Sequence, residues 1–171
     1  MDKRWISILI IIIIACACGY LIVQYSDTVG NAIVDVNKST LTIPTGFSNQ
    51  YSDDNSVLLV HRGTSESIYV KDLGKSDIAK SNFINNEKSL KNNNENEVYA
   101  NTTKMGDNTV YTIYYTNITN SEAKNMSNSY FYSYKHTYLV KLSGFDNLDT
   151  LNEKLEKIVN TIKPDYKKSQ D

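Results

Sequence analysis

The nineteen residues from Trp5 to Val23 carry no charge, and eleven of them are Ile, Leu or Val. As a helix they span roughly 28 Å at about 1.5 Å per residue, close to the thickness of a hydrocarbon core about 30 Å across. Each aliphatic residue contributes roughly −0.3 to −0.6 kcal/mol to insertion, and no charge opposes them. The run reads as a membrane anchor, and the lipid bilayer is the first partner implied. Lys3 and Arg4 precede it, and the first charges after it are Asp27 and Asp35, so the N-terminus is expected in the cytoplasm and the remainder outside.

Three other fates compete for this segment. A cleaved signal peptide has an apolar core of about 7–15 residues before a small-residue cleavage site, whereas apolar character here continues through Tyr20, Leu21, Ile22 and Val23. Ile13-Ile14-Ala15-Cys16 resembles a lipoprotein box, with Cys16 as the candidate lipidation site. The same continuation argues against it, and two Cys on an apolar helix behave as small hydrophobes. Type IV pilins also pair a short basic start with a long apolar helix, but they carry a small residue at the processing point, where this chain has Lys3-Arg4-Trp5.

The expected organisation is an anchor over 1–25, a polar linker over 26–37, one domain over 38–164 and a polar tail over 165–171. The domain is long enough to bury most of its apolar surface unaided. Both cysteines lie in the apolar run, so no disulfide is expected in the domain. Its charges are balanced and interspersed, without the clustered basic footprint that nucleic acid requires.

Along the domain, Thr40-Leu41-Thr42-Ile43 alternates as a half-buried strand does, and Pro44-Thr45-Gly46 stops it. Ser56 to Arg62 and Ser67 to Lys71 predict a hairpin. Gly74-Lys75-Ser76 fails the phosphate-loop pattern, because the position that needs glycine is Tyr69. It reads instead as a turn, with Ser76 or Asp77 capping a weakly amphipathic helix through Ala79, Phe83 and Leu90. Val98 to Lys104 and Thr109 to Thr116 flank Met105-Gly106-Asp107-Asn108 as a second hairpin. Asn117 to Asn128 is expected to be a polar excursion before a long strand from Tyr130 to Leu142.

Tyr111, Ile113 and Tyr115 are expected to share one face, and Tyr130, Tyr132 and Tyr134 another. Cross-strand packing is the favoured reading of these rings, and a sugar- or partner-binding surface the alternative. Ser143-Gly144 is expected to end the sheet. A closing helix, capped by Asp146, carries Leu148, Leu151, Leu155, Ile158, Val159 and Ile162 as one stripe and stops at Lys163-Pro164.

Leu41-Thr42-Ile43-Pro44-Thr45-Gly46-Phe47, the strand Tyr138-Leu139-Val140-Lys141-Leu142 and the helix end Ile158-Val159-Asn160-Thr161-Ile162-Lys163-Pro164 together resemble the PsbP-like fold. That family includes a photosystem extrinsic subunit, a Ran-binding protein and exported lipoproteins. The resemblance implies an α+β domain, an antiparallel β-sheet with a C-terminal amphipathic helix and a weaker middle helix packed on it, preceded by one transmembrane helix. It carries over no catalytic residue. The Asn, Tyr, Ile and Lys bias also resembles that of exported proteins of methanogenic archaea.

No catalytic, cofactor or metal constellation emerges. His61 and His136 lack neighbouring ligands, no G-x-S-x-G elbow exists, and Asp53-Asp54-Asn55 lacks the alternation of a calcium loop. Four N-x-[ST] sequons, at Asn37, Asn101, Asn117 and Asn125, are candidate glycosylation sites if the domain lies outside. The expected function is a non-enzymatic, membrane-anchored, extracytoplasmic binding or accessory module whose partner is a membrane or surface protein. The alternative is a structural component of a cell-envelope or pilin-like assembly.

Overall fold

Period-two burial along short stretches rich in β-branched and aromatic residues builds most of the domain. The computed structural model describes residues 33–37, 39–92, 98–119 and 122–164, so the apolar run, Cys16 and the tail lie outside the described residues. Among the described residues no helix is long and apolar enough to cross a membrane.

The strands are β1 (Ile33–Val36), β2 (Ser39–Thr42), β3 (Phe47–Ser52), β4 (Ser56–His61), β5 (Ser67–Asp72), β6 (Tyr99–Met105), β7 (Asn108–Thr119), β8 (Glu122–Ser133), β9 (His136–Phe145) and β10 (Lys163–Pro164). Helix α1 covers Ala79–Asn92 and helix α2 covers Leu148–Thr161. Seven strands form one antiparallel sheet in the order β3-β4-β5-β9-β8-β7-β6, and β1-β2-β10 form a small second sheet.

The two faces of the large sheet are covered differently. On one face Val57, Leu59, Ile68, Val70, Val140 and Leu142 meet the small sheet and the buried stripe of α2, namely Leu151, Leu155, Ile158 and Val159. On the other, α1 lies over β7 and β8, where Ala79, Phe83 and Leu90 join Ile113, Tyr130 and Leu139. The weak periodicity of α1 suffices because only one narrow edge of the helix is apolar.

Several expectations change. Residues 33–36, read as linker, form β1, with Val34 and Val36 buried between exposed Ile33 and Asp35. Of residues 117–128, read as an excursion, 117–119 and 122–128 belong to the long strands β7 and β8, whose ladder runs from Val110↔Phe131 to Thr119↔Glu122. The sheet continues past Ser143-Gly144 to Phe145. Gly144 sits at a bulge with φ 84, and a Cβ there would collide with the Ser65 carbonyl oxygen.

The cap of α2 is Asn147, whose side chain accepts from the Asp149 N–H at 2.7 Å, while Asp146 pairs with Lys124. Leu148 is exposed rather than part of the stripe. The start of α1 is held by Thr137 rather than by Ser76 or Asp77. The Thr137 hydroxyl donates to the Ser76 carbonyl and accepts from the Ile78 N–H.

Leu155 is fully buried at the centre of the α2 contact, so Leu155→Ala is expected to lower stability by roughly 2–5 kcal/mol, read from urea unfolding.

Candidate functional site

Turns, a helix end and a buried polar cluster meet at one end of the large sheet. The innermost element is Asp72, the last residue of β5, whose side chain is fully buried. One carboxylate oxygen accepts from Asn37 Nδ2 at 2.8 Å and pairs with His136 Nδ1 at 2.6 Å. The other accepts from the Gly74 N–H at 2.7 Å. His136 opens β9, and its ring stacks on Tyr138, whose hydroxyl bonds Ser39 Oγ at 2.5 Å. Burial pushes the Tyr138 phenol up to about 12, with the Ser39 bond acting against the rise. An Asp–His pair can serve acid–base chemistry only where the second ring nitrogen meets a substrate. The His136 side chain keeps 11% of its surface exposed and packs on Tyr138, and its bond to Asp72 ties the start of β9 to the end of β5.

Outside this cluster lies a cleft of about 250 Å³ lined by Gly106, Asp107, Asn108, Ser133, Tyr134, Val159, Asn160 and Ile162. Three parts of the chain contribute to it. Gly106-Asp107 is the two-residue turn of the β6–β7 hairpin, closed by Met105↔Asn108, with φ 57 at Gly106. A positive φ at the first position alone is the type II′ pattern. A Cβ on Gly106 would stand 2.9 Å from Asn160 Oδ1, so glycine also admits the end of α2.

The β8–β9 turn is Tyr134-Lys135, closed by Ser133↔His136, with φ 49 and 66. Two positive φ values mark a type I′ turn, where Asn-Gly is the favoured pair. A bulky aromatic and a lysine there are strained, and the ladder on either side holds them. Tyr134 is 53% exposed at the cleft. The lining offers one carboxylate, two amides and two hydroxyls above an apolar floor of Val159 and Ile162. That composition suits recognition of a polar ligand or a partner loop.

The other titratable residues singled out from sequence have local roles. His61 accepts from the Gly63 N–H and packs edge-on against Phe47 at 5.1 Å. Asp53 closes the β3–β4 turn. The Asn55 N–H foremost, and then Ser56, hold its carboxyl below the usual range. Among the described residues no group of three or more His, Cys, Asp or Glu is placed to hold a metal ion.

The two tyrosine sets share one face, because the register sets Tyr111 opposite Tyr130. Tyr134 leaves that face for the turn. Phe83 of α1 packs on Tyr111 at 5.6 Å and Tyr130 is buried, which is the packing role. The four sequon asparagines are scattered. Asn37 is in the β1–β2 turn and Asn101 on β6, while Asn117 and Asn125 lie in strands instead of loops. The cleft was missed from sequence. Only its Gly106-Asp107 turn carried a signal, and nothing local joins it to Tyr134 or Asn160.

The sequence matches no family model and no curated protein. Solved structures share the fold. A point mutant of Mog1 superposes with a TM-score of 0.52 at 13% identity, over 79% of this chain and 96% of that one. LpqN of Mycobacterium tuberculosis, described as involved in cell envelope biogenesis, gives 0.52 at 16% identity, over 78% of this chain and 90% of LpqN. A protein of Bacteroides thetaiotaomicron gives 0.55 at 10% identity, over 74% of this chain and 45% of that one. At these identities the likeness is one of fold. It agrees with the α+β architecture read from sequence, in which a Ran-binding protein was one of the fold's members.

Two outcomes follow for this end of the sheet. Lys135→Gly relieves a left-handed lysine and is expected to raise stability by roughly 1 kcal/mol in urea unfolding. Tyr138 keeps its proton longer when folded than when unfolded, so stability is expected to fall as pH rises from about 10 to about 12. Tyr138→Phe should make that alkaline loss shallower, measured as the melting temperature against pH.

Proposed function

We propose that the chain is a non-enzymatic binding or accessory module, held at the outer face of a membrane by residues 5–23, with the cleft end of its sheet as the recognition surface. The observation that carries this reading is the fate of the most reactive-looking residues. Asp72 and His136 are consumed in an internal bond, while the polar groups left open to a partner are amides, hydroxyls and the Asp107 carboxylate. Such a set recognises and does not react.

The fold supports the same class of role. LpqN is described as involved in cell envelope biogenesis, and Mog1 as a Ran-binding protein. The apolar run and its basic flank support the outer location. A partner for this surface is a membrane or surface protein presenting polar groups to the cleft. The regular, solvent-facing edge strand β6 favours a second reading, a structural component that pairs through that edge in an envelope assembly.

A photo-crosslinking residue in place of Tyr134, in the full-length chain inside its own cells, should capture one recurrent membrane or surface protein. The same probe at Lys88, on α1, should not. Self-crosslinks through β6 alone would replace the accessory reading with the assembly. Fractionation and protease access to intact cells test the location separately: a membrane-bound, protease-sensitive domain is expected.

A further inference from the structure

The four sequons are equivalent in sequence and unequal in the folded chain. An N-glycosidic bond forms when Asn Nδ2 attacks the anomeric carbon of a sugar carried on a lipid phosphate or pyrophosphate. The carbon–oxygen bond to that phosphate breaks, one Nδ2 proton is lost, and no electrons change hands. The product keeps a single N–H, and the attached sugar must reach solvent.

Asn125 fails both requirements. Its Nδ2 donates to the Phe145 carbonyl at 3.1 Å and to the Asp146 carbonyl at 3.0 Å, bridging the end of β9 to the approach to α2. Glycosylation removes one of those donors and forces a sugar between the two segments. The sequon hydroxyl, Ser127, is fully buried. Asn37 fails for a related reason. Its Nδ2 is bound to the buried Asp72 carboxylate, and its sequon hydroxyl, Ser39, is 4% exposed and bonded to Tyr138. A chain modified at Asn125 before folding would have to give up one of its two bonds in order to fold, and one modified at Asn37 would have to place the sugar beside the buried Asp72 carboxylate.

Asn101 and Asn117 meet both requirements. Asn101 is exposed on the outer strand β6. Its Oδ1 accepts from the Thr102 N–H at 2.8 Å, its Nδ2 has no hydrogen-bond partner among the described residues, and Thr103 is exposed. Asn117 is exposed near the tip of the β7–β8 hairpin. That tip extends beyond β6, whose last partner on β7 is Tyr114, and beyond β9, whose last partner on β8 is Asn125.

We infer that Asn101 and Asn117 are N-glycosylated on the folded protein and that Asn37 and Asn125 are not. This rests on the outer location proposed above. At Asn101 the glycan would also stand on the sheet's unbulged edge and block strand addition there.

The test is peptide mapping by mass spectrometry of the protein purified from its own cells, beside protease access to the intact cells. Expected are sugar-bearing peptides at Asn101 and Asn117, lost in Asn101→Gln and Asn117→Gln, and unmodified peptides at Asn37 and Asn125. A glycan on Asn37 or Asn125 overturns the assignment. Bare Asn101 and Asn117 on a protease-accessible domain overturn it while the outer location stands. Bare sites on a protease-protected domain overturn both.

Discussion

A buried carboxylate ties the turn of the small sheet to the large sheet at one end of their shared apolar core. Moving an ionised carboxylate out of water is tolerable only if charge-assisted hydrogen bonds replace its hydration. Asp72 receives three donors, from Asn37, Gly74 and His136. Those donors belong to the small sheet's turn, to the exit of β5 and to the start of β9. One side chain therefore links the turn of the small sheet to the ends of two central strands. Removing it would leave three donors unpaired in the interior, which is a larger loss than a missing methylene.

The same placement separates the two ends of the sheet. At the Asp72 end the large sheet's chain turns sharply at Asp53, Gly74, Gly106 and Tyr134-Lys135, beside the small sheet's turn at Asn37, and every one is pinned by a side chain or by a closing strand pair. Rigid turns close together can form a cleft of fixed shape. At the other end the β7–β8 hairpin outruns its neighbours and lies open. The strain at Tyr134 and Lys135 survives because β8 and β9 pair continuously from Ser127↔Leu142 to Ser133↔His136.

Sequence made legible what depends on local period. The β4–β5 and β6–β7 hairpins and the stripe of α2 were readable because three-to-six-residue patterns decide them. Ile33-Val34-Asp35-Val36 alternates too, but four residues beside a polar stretch carry little weight. Phe47-Ser48-Asn49-Gln50-Tyr51-Ser52 and Glu122-Ala123-Lys124-Asn125-Met126-Ser127-Asn128 lack the branched residues of a strand and become strands through their partners. The Asp72–His136 bond spans 64 positions, and the cleft gathers residues from 106 to 162, so no window of sequence contains either. Sequons are legible as letters, whereas the bonds that occupy Asn37 and Asn125 are long-range and appear only in the fold.

The large sheet manages its two edges in different ways. On β3 the register slips between Asn49 and Tyr51, a bulge that twists the strand and spoils it as a template. On β6 seven consecutive pairs run without interruption from Tyr99↔Tyr114 to Met105↔Asn108, and Lys104 is its only charge. Pairing alternates along an antiparallel strand. Because the two-residue turn makes Met105 a bonded position, the N–H groups of Ala100, Thr102 and Lys104 point outwards. Asn101 answers the middle one with its own carboxamide. That single local bond occupies the central donor of the outward row, so a strand added at this edge would first have to displace the Asn101 carboxamide.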